Sequence, residues 1–518
     1  MSFWRGFRQP ARYAVLLAGA LPVLAFPSAN LEFLAWFGLL PGLALMRAAP
    51  ARREAAIRGW WFGAGYLLAA MYWLAPNLGP GLLLVAIVLG ALWSTVGMAT
   101  WSLLRPPVTA RRALAALFVV PSCWLVGEWI RSWQGIGGPW AVLGASQWQH
   151  PAVLALAAIG GIWLVSFALV AANTGLLIAL TARSSVIRLA GLAAALVAVG
   201  AGPLAFALTA PAPVARPLTI ALVQPGIVAG PGDRLARNEA LTIAEAGRAD
   251  LFVWAESSVG FDLATHPALL AGVEQAARTG GAEVLADQDA LNAAGAKSKQ
   301  AALVSGTGVR GEYVKTRLVP FGEYIPFRPV LGWLSNISRA AGQNVLPGTG
   351  AHVLRAILPG GQSLTFGPLI CFESAFPDMS RVDTDNGAQV IIYQTSDSTF
   401  QASWAPAQHA ALSALRAAET GRPVVQAALT GDSAAFDARG RLLAWAGTSY
   451  RGVILVHLEL PPVETRTAYD RFGDYVPWLA VGIAALAAAI GIVRGRSARR
   501  KSGGQSTGSQ AGVLSDTR

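Results

Sequence analysis

Three chemically capable side chains stand at the ends of apolar runs: Glu256 in FVWAESS, Lys315 in YVKTRLVPFGEYIPF and Cys371 in LICFES. A thiol is a weak nucleophile until it loses its proton, so it needs a base or a cation beside it. A carboxylate can take that proton. An ammonium can stabilise both the thiolate and the oxyanion of an acyl transfer. Glu, Lys and Cys brought together therefore suffice to acylate and then deacylate a sulfur. Spacing alone leaves a blander account open, because a cysteine ending an apolar strand is commonly a small buried hydrophobe. Cys123, inside LFVVPSCWLVGEW, reads as such a hydrophobe.

Other motifs carry less. The two cysteines make no CxxC, and the five histidines make no HExxH pair, so neither a metal nor another cofactor is expected. Residues 306–311 match G-x-G-x-x-G, but EYVKTRLV follows them and reads as a strand. A dinucleotide site needs a helix there, so a hairpin turn is expected instead. No G-x-S-x-G elbow of a serine hydrolase is present. His409 reads as a helix residue packing near the site. Glu128 reads either as a functional charge within a membrane or as an interfacial residue among Trp124, Trp129 and Trp133.

The elements that must position these groups alternate between strand and helix. LTIALVQP, LFVWAE, AEVLAD, QAALVSG, SLTFGPLIC, QVIIYQTS, VVQAAL, AAFDA, LLAWA and VILVHLE read as strands. Residues 232–248, 267–279 and 404–421 read as helices. This is an α/β domain over 216–462, with Glu256 and Cys371 at strand ends.

The rest of the chain has a different character. Of 518 residues, 54% are apolar and 13% charged, with 18 Trp, which points to bilayer-embedded segments. Apolar runs long enough to cross hydrocarbon lie near 13–28, 30–47, 58–76, 81–104, 112–131, 155–181, 187–208 and 476–493. Arg5, Arg8 and Arg12 precede the first. Arg47, Arg52, Arg53 and Arg58 follow the second, Arg105, Arg111 and Arg112 the fourth, and Arg183 and Arg188 the sixth. Arg494, Arg496, Arg499, Arg500 and Lys501 follow the eighth. The alternate loops 27–29, 76–80 and 133–150 hold no Lys or Arg. One assumption, eight spans, thus puts every basic loop on one side. It places both termini in the cytoplasm and the α/β domain outside. The expected domains are a seven-helix membrane domain (1–208), a catalytic domain (216–462), a last span (476–493) and a basic, then disordered, cytoplasmic tail (494–518). The first span reads as an uncleaved anchor. Topology explains the net charge of +12, and the outer domain holds no basic, aromatic run of the kind that binds nucleic acid.

WAESS, YVKTRLVPFGEYIPF, ICFES and QHAALSALRAAETGRPVV resemble the nitrilase (carbon–nitrogen hydrolase) superfamily. With GEWIRSW, GGPWAVLGASQ and YDRFGDYVPW they more narrowly resemble the bacterial apolipoprotein N-acyltransferases. The resemblance implies an α-β-β-α sandwich on a multi-pass helical bundle of a bacterial inner membrane. It implies Glu256 as general base, Lys315 as triad lysine and Cys371 as the nucleophile that carries an acyl thioester. Glu323 would orient the lysine and the substrate amine. Phe372 would supply an oxyanion-hole N–H. Glu373 matches an acidic position of the family, with a structural salt bridge as its plainer role. The implied partners are a phospholipid acyl donor and a diacylglyceryl apolipoprotein acceptor, served by a monomer without cofactor. The chain departs from the family at Thr395-Ser396-Asp397-Ser398-Thr399-Phe400 and at Lys299-Gln300, outside the triad. Two other classes stand beside this one: a membrane-tethered amidase or nitrilase that uses water, and a lipid-binding scaffold or transporter. Few intramembrane charges and no internal repeat weigh against a transporter.

Overall fold

The computed structural model describes residues 10–291, 295–333 and 344–508, with side chains as far as residue 493. Arg5, Arg8 and the tail beyond Gly508 lie outside the described residues.

The N-terminal part is helical: α1 (Pro10–Ala20), α2 (Leu40–Arg47), α3 (Arg52–Ala70), α4 (Gly81–Leu104), α5 (Ala110–Arg131), α6 (Pro151–Thr181) and α7 (Ser185–Leu208). Among the described residues, five helices are long and apolar enough to cross a membrane: α4 to α7 and 475–493. The run 30–47 differs from the single span expected. It is a short 3-10 turn (Glu32–Trp36) followed by α2. Phe37, at φ −144°, leaves the helical path between them, and Pro41 stands in the first turn of α2, where its missing N–H breaks no helical bond. Close helix packing uses small residues. A Cβ on Gly175 of α6 would meet the Gly191 carbonyl oxygen of α7 at 2.6 Å, and one on Gly191 would meet that of Gly175 at 2.7 Å.

The α/β part holds β1 (Arg216–Gln224), α8 (Pro231–Ala244), β2 (Leu251–Trp254), α9 (Pro267–Gly280), β3 (Glu283–Leu291), β4 (Lys297–Ser305) and β5 (Gly308–Val314). There follow β6 (Leu354–Ile357), β7 (Ser363–Ile370), α10 (Pro377–Asp385), β8 (Val390–Thr395), α11 (Ala405–Thr420), β9 (Val424–Ala428), β10 (Ser433–Phe436), β11 (Leu442–Ala446) and β12 (Gly452–Leu460). They make two six-stranded sheets, ordered β12-β1-β2-β3-β4-β5 and β11-β10-β9-β8-β7-β6. In β1 the alternation is direct. Ile220 and Leu222 join the core between the sheets, while Ala221 and Val223 join the core under α8 and α9. Helices α10 and α11 cover the outer face of the second sheet, giving the expected α-β-β-α sandwich. Residues 306–307 form the turn between β4 and β5, so the glycine motif is a hairpin.

Helices α12 (Ala468–Phe472) and α13 (Tyr475–Gly508) end the described chain. Helix α13 passes Ser502, where the sequence suggested disorder. A helix already nucleated extends at one hydrogen bond per added residue, even through small polar residues.

Helical and α/β parts interlock. Helix α6 breaks at Gly160 and Gly161, the latter at φ 69°, where a Cβ would meet the Tyr469 ring at 2.6 Å. The break frees the Ile162 N–H, which donates to Glu419 of α11 at 2.8 Å. Trp163 donates to Asp474 at 2.9 Å, and Trp140 donates to Gln408 at 2.9 Å. Glu128 is wholly buried and accepts from Trp124 at 2.8 Å and from the Leu143 N–H at 2.7 Å. It ties the loop 133–150 to α5.

Candidate active site

The site forms where strand ends of the two sheets face each other. Glu256 follows β2, Lys315 follows β5 and Cys371 follows β7. The sequence marks these points because each apolar run stops at a polar residue. Lys315 is fully buried, and its Nζ donates to Glu256 at 3.1 Å and to Glu323 at 2.8 Å. The Cys371 thiol and the Glu256 carboxylate lie close enough for each to shift the other's ionisation. Four expected residues thus converge: Glu256, Lys315, Glu323 and Cys371.

Cys371 has φ 53°, a left-handed conformation that non-glycine residues hold only under constraint. It opens a 3-10 turn, Cys371–Ala375, at the end of β7. This elbow lifts the sulfur out of the strand line. Glu373 enforces it. Its Oε2 accepts the Ile370 N–H at 2.7 Å. Its Oε1 accepts from Tyr313 Oη at 2.8 Å and from the Thr316 and Arg317 N–H groups at 2.7 and 2.9 Å. The salt bridge anticipated for Glu373 is therefore a clamp of uncharged donors. Backbone amides reach it first, because the turns after Lys315 and Ile370 both point inward. The clamp joins the lysine segment to the cysteine elbow. Phe372 follows Cys371, with its ring against Phe376 at 5.0 Å between centroids. Glu323 is fixed by the Val319 N–H, donated to its Oε2 at 2.8 Å.

The charges have definite directions. Burial raises the proton affinity of Glu256, but Lys315 and Lys299 outweigh it and hold the carboxyl below its ordinary value. Burial works against the charge of Lys315, yet Glu256 and Glu323 hold its pKa well above the usual lysine range. Burial and the adjacent Glu256 push the Cys371 thiol well up. The resting site is thus carboxylate, ammonium and neutral thiol. The thiol must give up its proton during attack, and the adjacent ionised Glu256 can receive it.

Two groups were only partly visible in the sequence. His409 of α11 lies between two acceptors: Nδ1 faces Asp397 Oδ1 at 3.0 Å, and Nε2 faces the Cys371 carbonyl oxygen at 3.1 Å. With the Thr395 hydroxyl also at Nδ1 (3.2 Å), these acceptors favour a proton on each nitrogen. Burial lowers the pKa of His409, but Asp397 and the carbonyl more than reverse this. His409 packs near the site as expected, and it also holds the Cys371 carbonyl oxygen. Lys299 of β4 was noticed only as a departure from a family pattern. Its ammonium touches Ser257 Oγ and the Asp289 carboxylate. Ser257, Asp289, Ser396, Ser398 and Thr430 line a polar cleft of about 290 Å³ beside the triad. Asp397, Ser396 and Ser398 belong to the departing segment, so that change rebuilds one wall of the cleft.

Among the described residues, no three of His, Cys, Asp and Glu cluster in a way that could hold a metal.

Two family models match the chain. The apolipoprotein N-acyltransferase N-terminal domain matches residues 18–175, and the carbon-nitrogen hydrolase matches residues 219–466. An apolipoprotein N-acyltransferase of Sinorhizobium fredii is 32% identical over 494 residues, covering 84% of this chain and 88% of the relative. One from Methylococcus capsulatus is 32% identical, covering 76% of each chain. One from Rhizobium meliloti is 30% identical, covering 92% of this chain and 94% of its own. With a helical part and a carbon-nitrogen hydrolase sandwich matched in order, and with relatives at this identity along most of its length, the chain belongs to the apolipoprotein N-acyltransferase family.

Proposed function

We propose that this protein moves an acyl chain from a membrane phospholipid to the α-amine of an apolipoprotein's N-terminal diacylglyceryl-cysteine, with Cys371 as the carrier. One observation carries the mechanism: a buried lysine bonded to two carboxylates, Glu256 and Glu323, at the turn where β7 delivers Cys371. As Sγ attacks the ester carbonyl, Glu256 takes the thiol proton. Lys315 and the Phe372 N–H stabilise the oxyanion. The tetrahedral adduct collapses, the C–O bond breaks and Glu256 returns its proton to the departing lysophospholipid. The acceptor amine then attacks the thioester, Glu256 takes a proton from the nitrogen, and the C–S bond breaks. The thiolate recovers that proton. Each product leaves before the next substrate reacts, which gives ping-pong kinetics.

Both substrates are lipid-anchored, which accounts for the helical part. The loop 133–150 supports this reading, because Gly138 lies under the rings of Phe372 and Phe376 at the elbow. Basic loops on alternate connections support an extracytoplasmic active site, with both termini in the cytoplasm.

The test uses the full-length protein in detergent with a phospholipid and a diacylglyceryl-cysteinyl peptide, read by mass spectrometry. The wild type should add one acyl chain to the peptide amine. Without acceptor it should accumulate an acyl group on Cys371. Cys371→Ala should do neither. Peptide acylation by Cys371→Ala at the wild-type rate defeats the proposal. Release of free fatty acid with an unmodified amine supports the hydrolase reading instead.

A further inference from the structure

Lys299 sits on β4, between β3 and the β5 strand that leads into Lys315. Its carbonyl oxygen accepts the Lys315 N–H at 2.9 Å. Its side chain turns toward the opposite partner, touching Ser257 Oγ and Asp289. Asp289 is its direct cross-strand neighbour on β3. Ser257 follows the base Glu256 and has φ 56°, a conformation that a serine keeps only when its surroundings fix it. Asp287 supplies one fixing bond, accepting the Ser257 N–H at 2.7 Å. Lys299 supplies the other. It therefore ties the corner carrying the base to the strand carrying the triad lysine.

The charges around Glu256 give Lys299 a second consequence. Lys315 faces Glu256 directly, with Glu323 behind it. Lys299 touches Ser257, the residue after Glu256, and pairs with Asp289. Asp287 lies under the Ser257 backbone, and burial holds its carboxyl well above the ordinary range. The thiol of Cys371 and the ion pair of His409 with Asp397 complete the surroundings. Without Lys299, Lys315 would be the ammonium left to Glu256 and Glu323, and Asp289 would lose the ion-pair partner it has now. Burial opposes the charge of Lys299, but Glu256, Asp289 and Asp287 outweigh it and raise its pKa.

We propose that Lys299 is a positioning residue of this reaction: it fixes the Ser257 corner and supplies the second positive charge that keeps Glu256 ionised to receive the thiol proton. The proposal rests on Glu256 being the base for Cys371, and it needs neither lipid substrate. It is therefore tested by alkylation. The full-length protein in detergent is treated with iodoacetamide across a pH series, and modification of Cys371 is followed by peptide mass spectrometry. The acid limb of the wild-type profile reports the ionisation of Glu256. In Lys299→Met this limb should move up by about one pH unit, the scale of losing one nearby opposite charge. Lys299→Arg should restore it. A lower rate with an unmoved limb would show a merely structural role and overturn the proposal. If Lys299→Met does not fold, Asp289→Asn tests the opposite sign. Removing the carboxylate that shares the charge of Lys299 should move the limb down, and an unmoved or raised limb overturns the proposal. Because no acyl donor or acceptor is present, failure of the acyl-transfer reading would leave this result standing, and the reverse holds.

Discussion

Replacing Glu373 by Gln tests whether the clamp, and not only the triad, builds the site. The carboxylate accepts four hydrogen bonds, three on Oε1 and one on Oε2. A glutamine of the same shape offers one acceptor oxygen and one NH2. With its oxygen in the Oε1 place, the NH2 points at the Ile370 N–H, and two donors face each other. That orphaned buried donor costs about 1–3 kcal/mol, and each remaining bond, no longer charge-assisted, weakens by about 1 kcal/mol. Part of this is returned, because burial already raises the proton affinity of Glu373 and the neutral amide is easier to bury. A net loss of about 2–4 kcal/mol follows. Tyr313→Phe removes one donor and leaves three, so it should cost about 1 kcal/mol or less. Glu373→Ala orphans every donor and should cost most. The assay is thermal unfolding in detergent, paired with the alkylation rate of Cys371. Because the clamp joins the Lys315 segment to the elbow, stability and thiol reactivity should fall together, in the order Ala, Gln, then Tyr313→Phe. A glutamine variant that melts and alkylates like the wild type would refute the clamp.

Three further outcomes follow from the same geometry. Glu256→Gln keeps the shape of the base but cannot accept the thiol proton, so thioester formation with labelled phospholipid should fall about 10²–10⁴-fold. Lys315→Met leaves Glu256 and Glu323 buried without their shared cation, which should cost about 3–5 kcal/mol in thermal unfolding as well as activity. The raised pKa of His409 stabilises the folded state fully below the ordinary histidine value, and this contribution is lost as pH rises through the raised one. The wild-type melting temperature should therefore decline on the alkaline side, and His409→Gln should flatten that decline. An unchanged slope would mean that His409 is neutral.

The sequence disclosed the site where chemistry interrupts periodicity. Glu256 and Cys371 close apolar strands, and Lys315 follows Tyr313 and Val314 in apolar company, so these residues and their strands stood out in the sequence. The hairpin at 306–307 was legible because a strand, not a helix, follows it. Other elements gave no such contrast. Strand β6, LRAI, has the exposed Arg355 inside it, so no apolar run marks it as LFVW marks β2. PDMSRVDTD of α10 is polar enough to read as loop, although Met379, Ser380, Asp383 and Thr384 are buried. Lys299 lies in a run, KSKQ, whose polarity suggests a solvated edge. Only the pairing of β3 with β4 brings it opposite Asp289, and only the left-handed turn at Ser257 brings both to the base.

The remaining determinants are long-range, and they explain why a helical part and a hydrolase sandwich work as one unit. The break in α6 is a helix defect by itself, but Glu419 accepts the freed Ile162 N–H. Glu419 lies on the same helix as His409, which holds the carbonyl oxygen of Cys371. At the other end of the loop 133–150, Arg131 binds the Trp140 carbonyl oxygen, and Trp140 donates to Gln408, the neighbour of His409. Helix α11 is thus fixed to the helical part at two points that straddle its contact with the nucleophile. A shift of α11 away from the bundle would carry His409 off the elbow and release the left-handed turn at Cys371. The geometry of the sulfur therefore depends on docking to the bundle, which is where a lipid-borne acyl group has to arrive.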